Sequence, residues 1–383
     1  MRFGALGQPG GRWLMLKIEH LRVCVPTSCG EAPVVDDVSL SVPEGKTVAL
    51  VGESGCGKSM TALAIMRLLP AAARVDGGTI RLDEAGDLLR LDERRMRAVR
   101  GGAIGIIFQE PMTALNPVYT VGEQIVEAVE LHQRIRGASA RSQAVELLRA
   151  VGMAAPGARV RSYPHEMSGG MRQRVMIAMA LAGRPRMLIA DEPTTALDVT
   201  TQAEILALLR SLQAKHGMGV LLITHDLGVV AETADEVYVM YAGRIVEHAA
   251  TRELLDHPLH PYTQGLLRCT PELADLPRRG LVQVGGEVAG ELATGQSPAP
   301  RLPVIPGMVP DPAHFPSACR FHPRCSLSAE KAQQGGPQVL RGDWPVGRGL
   351  LRRCVEPCDG SEIVAPPLHE VRPDHRVACW EVN

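Results

Sequence analysis

The segment GESGCGKS, Gly52 to Ser59, has the residue types and spacing to hold a polyphosphate. Its glycines let successive backbone N–H groups turn inward around phosphate oxygens, and a helix starting there adds the positive end of its dipole. Lys58 would reach the β- and γ-phosphates and Ser59 would hold Mg²⁺. This predicts an ATP or GTP site built from Gly52, Glu53, Ser54, Gly55, Cys56, Gly57, Lys58 and Ser59, with Met60 following. In MLIADEP an apolar run ends on two carboxylates. Asp191 there can organise Mg²⁺ and its waters, and Glu192, one residue on, is suited to polarise an attacking water as general base. His225 closes a second apolar run, VLLITHD, where it could hydrogen-bond a γ-phosphate, although a lone histidine at a strand end is more often structural. In YPHEMSGGMRQRVMIAMALAG, residues Ser168, Gly169 and Gly170 open a long helical stretch. They are either a second anion-binding helix end or a serine N-cap followed by glycines.

A different chemistry is possible near the end of the chain. CRFHPRC, residues 319 to 325, packs two cysteines, a histidine and two arginines into seven positions, and Cys354, Cys358 and Cys379 follow. By residue type these are a metal or cluster site, a disulfide framework or buried thiols. Cys24, Cys29 and Cys269 belong to no motif.

Such groups need elements to position them. Residues 17 to 51 read as alternating strands ending in the apolar run TVALV, and SMTALAIMRLL after the glycine loop reads as a helix. Residues from about 110 to 185 are mostly helical, and MLIA and VLLIT are buried-type strands flanking the helix-like TTQAEILALLRSLQAKHG. Strand, loop and helix in alternation predict an α/β fold with a mainly parallel sheet covered by helices. Beyond about residue 270 proline, glycine and cysteine dominate. This places a cassette-sized domain at 17–270 after an extension of residues 1–16, and a linker plus Cys-rich domain at 271–383.

Composition narrows the classes. With 383 residues, 45% hydrophobic and 22% charged, the chain suits a large soluble domain and a smaller one. A net charge of −1 gives no electrostatic case for nucleic acid as the main ligand. No apolar run is long enough to span a bilayer, and no signal-peptide core opens the chain, so a cytosolic setting with reduced thiols is expected.

In order along the chain, GESGCGKS, Gln109 in IIFQEP, MSGGMRQR, LIADEP, ALD and THD together resemble the ATP-binding subunit of ATP-binding cassette (ABC) proteins over residues 17 to 270. The resemblance implies a P-loop NTPase cassette with an antiparallel β portion and a helical subdomain at about 110–185. It implies two cassettes packed head to tail, so that Ser168, Gly169 and Gly170 serve the partner's nucleotide and Asp198 links the two sites. Gln109 would contact Mg²⁺ and the water while sensing the membrane subunit. Two departures stand out: Met171 replaces the glutamine many relatives carry, and PTSCGEAP has no aromatic to stack on adenine.

Longer stretches, including IIFQEPMTALNPVYTVGEQI, ADEPTTALDVTTQAEIL and HPLHPYTQGLL, are similar to the oligopeptide/dipeptide importer branch, which also serves nickel. That branch implies an ATPase on the cytoplasmic side of the inner membrane. Its partners are a second, non-identical ATPase subunit, two transmembrane permease subunits touching residues 109 to 125, and an extracytoplasmic solute-binding protein. An exporter ATPase and an ABC ATPase acting on nucleic acid or ribosomes are the competing readings. The tail resembles the branch's tail, which is implicated in holding an iron–sulfur cluster through four cysteines. Cys319, Cys325 and Cys379 match the first, second and last positions; Ala332 stands at the third, and an insertion of roughly 333–353 separates it from Cys354 and Cys358. The stretch APPL favours Cys358 as the missing ligand, with Cys354 the alternative. Four thiolates suit [4Fe–4S] or zinc, and the nearby arginines would offset their charge.

Overall fold

The computed structural model describes residues 14–270 except 29 and 84, and then 304–316, 318–333, 339–344, 346–351, 354 and 365–382. Two long strands, Leu14–Thr27 and Gly30–Pro43, pair antiparallel with each other, and Arg74–Leu82 and Gly86–Asp87 extend them into a four-stranded sheet. Its inward side chains, among them Leu16, Ile18, Val35 and Val38, close over the phosphate-loop helix, Lys58–Met66.

The second sheet carries the chemistry. Strands Glu236–Tyr241, Thr47–Val51, Gly219–Thr224, Met187–Asp191 and Ile104–Ile107 lie side by side and parallel. Three of them, TVALV, MLIAD and GVLLIT, are buried at every position, as continuous apolar runs must be when helices cover both faces. Parallel pairing sends their C-terminal ends to one edge, where loops bind ligands in open α/β sheets. The expected helical region holds Val121–Gln133, Ala138–Ala150 and Gly169–Leu181, packed around Ile125, Leu148 and Ile177. Among the described residues no helix is long and apolar enough to cross a membrane.

The tail is more closely joined to the cassette than its composition implied. Arg244–Ala250 runs antiparallel to Glu236–Tyr241, and the tail hairpin His369–Arg372/His375–Val377 continues the same sheet by pairing Glu247 with Val377. At that seam the fully buried His375 Nε2 lies 2.8 Å from Glu247 Oε1. The Glu247 carboxylate also accepts the N–H groups of Leu259 and His260 at 2.7 and 2.9 Å. Phe321, inside CRFHPRC, stands edge-on to Tyr241 and packs on Tyr262. Described residues between Ile305 and Leu327 therefore share a core with the strands that carry the phosphate loop.

Candidate active site

The phosphate loop joins the buried strand Thr47–Val51 to the helix Lys58–Met66. Gly52, Gly55 and Gly57 have φ of +156°, +81° and +109°, backbone that side chains resist. Lys58, nearly buried, donates from Nζ to the carbonyls of Gly52 (2.8 Å) and Glu53 (3.0 Å). Ser59 Oγ donates to Asp191 Oδ1 at 3.1 Å, so the two residues expected to hold Mg²⁺ already meet across 132 positions of sequence. Burial lifts the Asp191 carboxyl above its usual range, a cost that a cation there would offset. The Cys56 thiol is buried, and that burial pushes it up. Met60 is half-buried and packs on the core.

Glu192 sits just past Asp191 at a φ of +45° and donates its N–H to Ile223 O at 2.9 Å. Its Oε2 accepts from Gln109 Nε2 (3.1 Å) and Thr195 Oγ1 (2.9 Å), and His225 Nδ1 lies 3.4 Å away. Gln109 and His225, which the sequence assigned to two other motifs, thus meet at one oxygen of Glu192. Gln109 is engaged with Glu192. Thr195 was not anticipated; its only signal is its place three residues after Glu192 in EPTT.

Ser168 caps Gly169–Leu181, its Oγ accepting from Met171 N at 3.4 Å. Gly169 and Gly170 lie against Leu197 and Thr201, and among the described residues no hydrogen bond or ion pair joins them to residues 52–59. Asp198 caps the next helix, Val199–His216, and accepts Thr201 N–H at 3.0 Å; that backbone bond and the Thr201 hydroxyl hold its carboxyl below the usual range. Met171 is half-buried against the helical-subdomain core, an apolar role in place of glutamine's polar one.

The thiols converge. Cys319, Cys325, Cys354 and Cys379 line one small cavity of about 10 Å³ with His260 and His322, and no disulfide joins them. Cys354, the alternative candidate in the sequence, is the one the described residues place at the cavity. A hairpin of Val339–Trp344 and Gly347–Leu351 turns the insertion back on itself and delivers Cys354 to the cavity, where its carbonyl accepts Cys319 N–H at 3.3 Å. Cys358, the preferred candidate, lies outside the described residues. Burial, reinforced by the neighbouring thiols, pushes Cys319 up to about 12. As arranged, no group of three or more His, Cys, Asp or Glu among the described residues has metal-holding geometry. Four thiols around one cavity are the donor type that a four-thiolate centre uses. Neither arginine of CRFHPRC lines the cavity: Arg324 is bound to Glu53 and Arg320 to Asp36.

A phosphate loop, a Ser/Asp cation pair and a braced carboxylate at one sheet edge define an ATP-hydrolysing cassette. Comparison with known proteins agrees. A family model for the ABC transporter matches residues 35–195, and one for the oligopeptide/dipeptide transporter C-terminal region matches 246–297 and 294–331. A peptide import ATP-binding protein of Brucella abortus (strain 2308) is 50% identical over 333 residues, 85% of this chain and 93% of that one. The peptide ABC transporter ATP-binding protein y4tR of Sinorhizobium fredii is 47% identical over 347 residues, 90% of this chain and 88% of that one. The ADP- and Pi-bound dimer of the ATP-binding cassette MJ0796 superposes with a TM-score of 0.55 at 28% identity, covering 62% of this chain and 99% of that one. The cassette cbiO1 of Clostridium perfringens gives 0.55 at 26%, covering 64% and 91%. This chain belongs to the ABC transporter ATP-binding family and is an ATPase that uses ATP and Mg²⁺.

Proposed function

We propose that the chain powers an importer of di- and oligopeptides, or of related solutes such as nickel, from the cytoplasmic face of the membrane. The observation that carries this is the union of an ABC cassette with the oligopeptide/dipeptide transporter C-terminal region in one chain. In this reading residues 17–270 form the cassette, residues 1–16 an extension, and residues 271–383 a linker and a tail docked on the cassette sheet. A second, non-identical ATPase subunit faces it head to tail, two permease subunits span the bilayer, and an extracytoplasmic binding protein delivers solute. Met112, Val118 and Tyr119, exposed at 63%, 71% and 54%, support permease docking along residues 109 to 125.

The loop amides and Lys58 bind the β- and γ-phosphates, while Ser59 and Asp191 would hold Mg²⁺, which would supply positive charge to the phosphates. Glu192 aligns a water in line with the γ-phosphorus and takes its proton as the terminal phosphoryl group leaves ADP. Gln109, Thr195 and His225 hold that carboxylate in place, and Gln109 reports permease contact to it. Ser168, Gly169 and Gly170 present their helix end to the partner's nucleotide, and Asp198 couples the two sites. Uptake of a labelled tripeptide by cells expressing the whole transporter tests the reading. It is expected to need ATP, this chain and the binding protein. Uptake that persists without the binding protein would overturn import in favour of export-type or other ABC chemistry.

The thiols Cys319, Cys325, Cys354 and Cys379 hold a [4Fe–4S] cluster, with zinc as the alternative that the same donors suit; either would tie four points of the tail together. Anaerobically purified protein is expected to be brown with about four irons per chain. Cys354→Ser should lose the metal and Cys358→Ser keep it. Colourless, metal-free parent protein would refute the centre, and loss of metal only in Cys358→Ser would restore the other ligand.

A further inference from the structure

Glu53 has all three of its polar groups engaged. Its carbonyl accepts Lys58 Nζ at 3.0 Å, its N–H donates to the Tyr262 hydroxyl at 2.8 Å, and its carboxylate takes both arms of Arg324 at 2.7 and 2.9 Å. The last two partners belong to the region beyond the phosphate loop's own sheet and helix. Tyr262 follows His260 and Pro261, which line the thiol cavity, and Arg324 lies directly before Cys325. Arg324 is 4% exposed and is fixed further by donating from Nε to Pro306 O at 2.8 Å.

The other arginine of CRFHPRC reaches the same loop through one intermediary, the Ala242–Gly243 turn. Arg320 donates to Ala242 O and pairs with Asp36, which also takes Arg244 at 2.7 Å. The next residue, Gly243, donates its N–H to Cys56 O at 2.9 Å. The loop is thus tied at Glu53 directly, and at Cys56 through Ala242 and Gly243, to a segment bounded by two thiols of the cavity.

We propose that Arg324 is a positioning residue for ATP: acting through Glu53, with Tyr262, it sets the loop backbone and the Lys58 amine that meet the phosphates. The proposal rests on the reading of residues 52–59 as the phosphate site. A bidentate guanidinium–carboxylate pair is among the stronger and more directional polar contacts, and neither lysine nor an amide reproduces its fork. The same contacts make the thiol segment part of the nucleotide site, so that its order and the loop's order are one property.

The test is binding of a fluorescent N-methylanthraniloyl-ATP to the full-length chain with Mg²⁺, alongside thermal melting. Arg324→Gln is expected to raise Kd about tenfold, and Arg324→Lys to recover about half of that loss on a logarithmic scale. Glu53→Gln should raise Kd to a similar extent. The double variant should be no worse than either single one, because both remove one pair. Lys58→Ala separates the two readings. If it binds like the parent, the phosphate-site reading fails. If it loses binding while Arg324→Gln and Glu53→Gln both stay within twofold of the parent, the positioning role fails and the site stands. Additive losses in the double variant would also overturn the pairing. Should Arg324→Gln melt too early to assay, the half-exposed Glu53→Gln carries the same expectation.

Discussion

Glu192→Gln is expected to bind ATP as the parent does and to release phosphate about 10²- to 10⁴-fold more slowly. The side chain keeps its shape and can still meet Thr195, but an amide cannot take a proton from the attacking water. Its Oε2 position is over-determined by Gln109, Thr195 and His225, so the isosteric change should leave the loop and cation pair intact. Binding and chemistry should therefore part company: unchanged nucleotide Kd, nearly absent turnover in the assembled transporter. Single-turnover phosphate release measures the second and fluorescent nucleotide binding the first. Phosphate release within a few-fold of the parent would remove Glu192 as the base.

Gly52→Ala should damage the protein more broadly. A Cβ on Gly52 would stand 2.1 Å from Met240 O and 2.8 Å from Cys56 Sγ, at a φ of +156°. Met240 lies in the buried strand Glu236–Tyr241, so its carbonyl cannot retreat without disturbing the sheet. Overpacking and backbone strain together cost upwards of about 3 kcal/mol, which for a domain of this size lowers the melting midpoint by roughly 5–10 °C. ATP affinity should fall at least about tenfold because the loop must move to relieve the contact. Gly55→Ala is the control. It has the left-handed φ of +81° but no atom within 4 Å of the new Cβ, so only about 1 kcal/mol of conformational strain is expected. If the two variants melt together, the contact with Met240 O is not what requires glycine at position 52.

The thiol region shows what spacing along a linear chain leaves out. The insertion of roughly 333–353 looked like a displacement that carried the remaining cysteines away, which made Cys358 beside APPL the better candidate. The hairpin Val339–Trp344/Gly347–Leu351 cancels that displacement by returning the chain to its start, so Cys354 arrives at Cys319. Residue counts along a chain measure distance only when the segment is extended. The arginines failed for a related reason: a guanidinium reaches well beyond its neighbours in sequence, and carboxylates 271 and 284 positions away hold Arg324 and Arg320.

The sequence by itself determined the class of chemistry: the phosphate loop, the paired acids after a buried strand, the serine–glycine helix start and the α/β order that carries them. Those signals are local, since a glycine's φ freedom, a capping hydroxyl and an all-apolar strand act within a few residues. Tertiary structure alone decided which of these groups touch. It set Gln109, Thr195 and His225 on one oxygen of Glu192, extended the cassette sheet with the tail hairpin, brought Cys354 into the thiol cavity, and bound Arg324 to Glu53. Each of those contacts depends on how strands order in a sheet and how an insertion folds back. That order is set by burial summed over the whole chain, which no short segment contains.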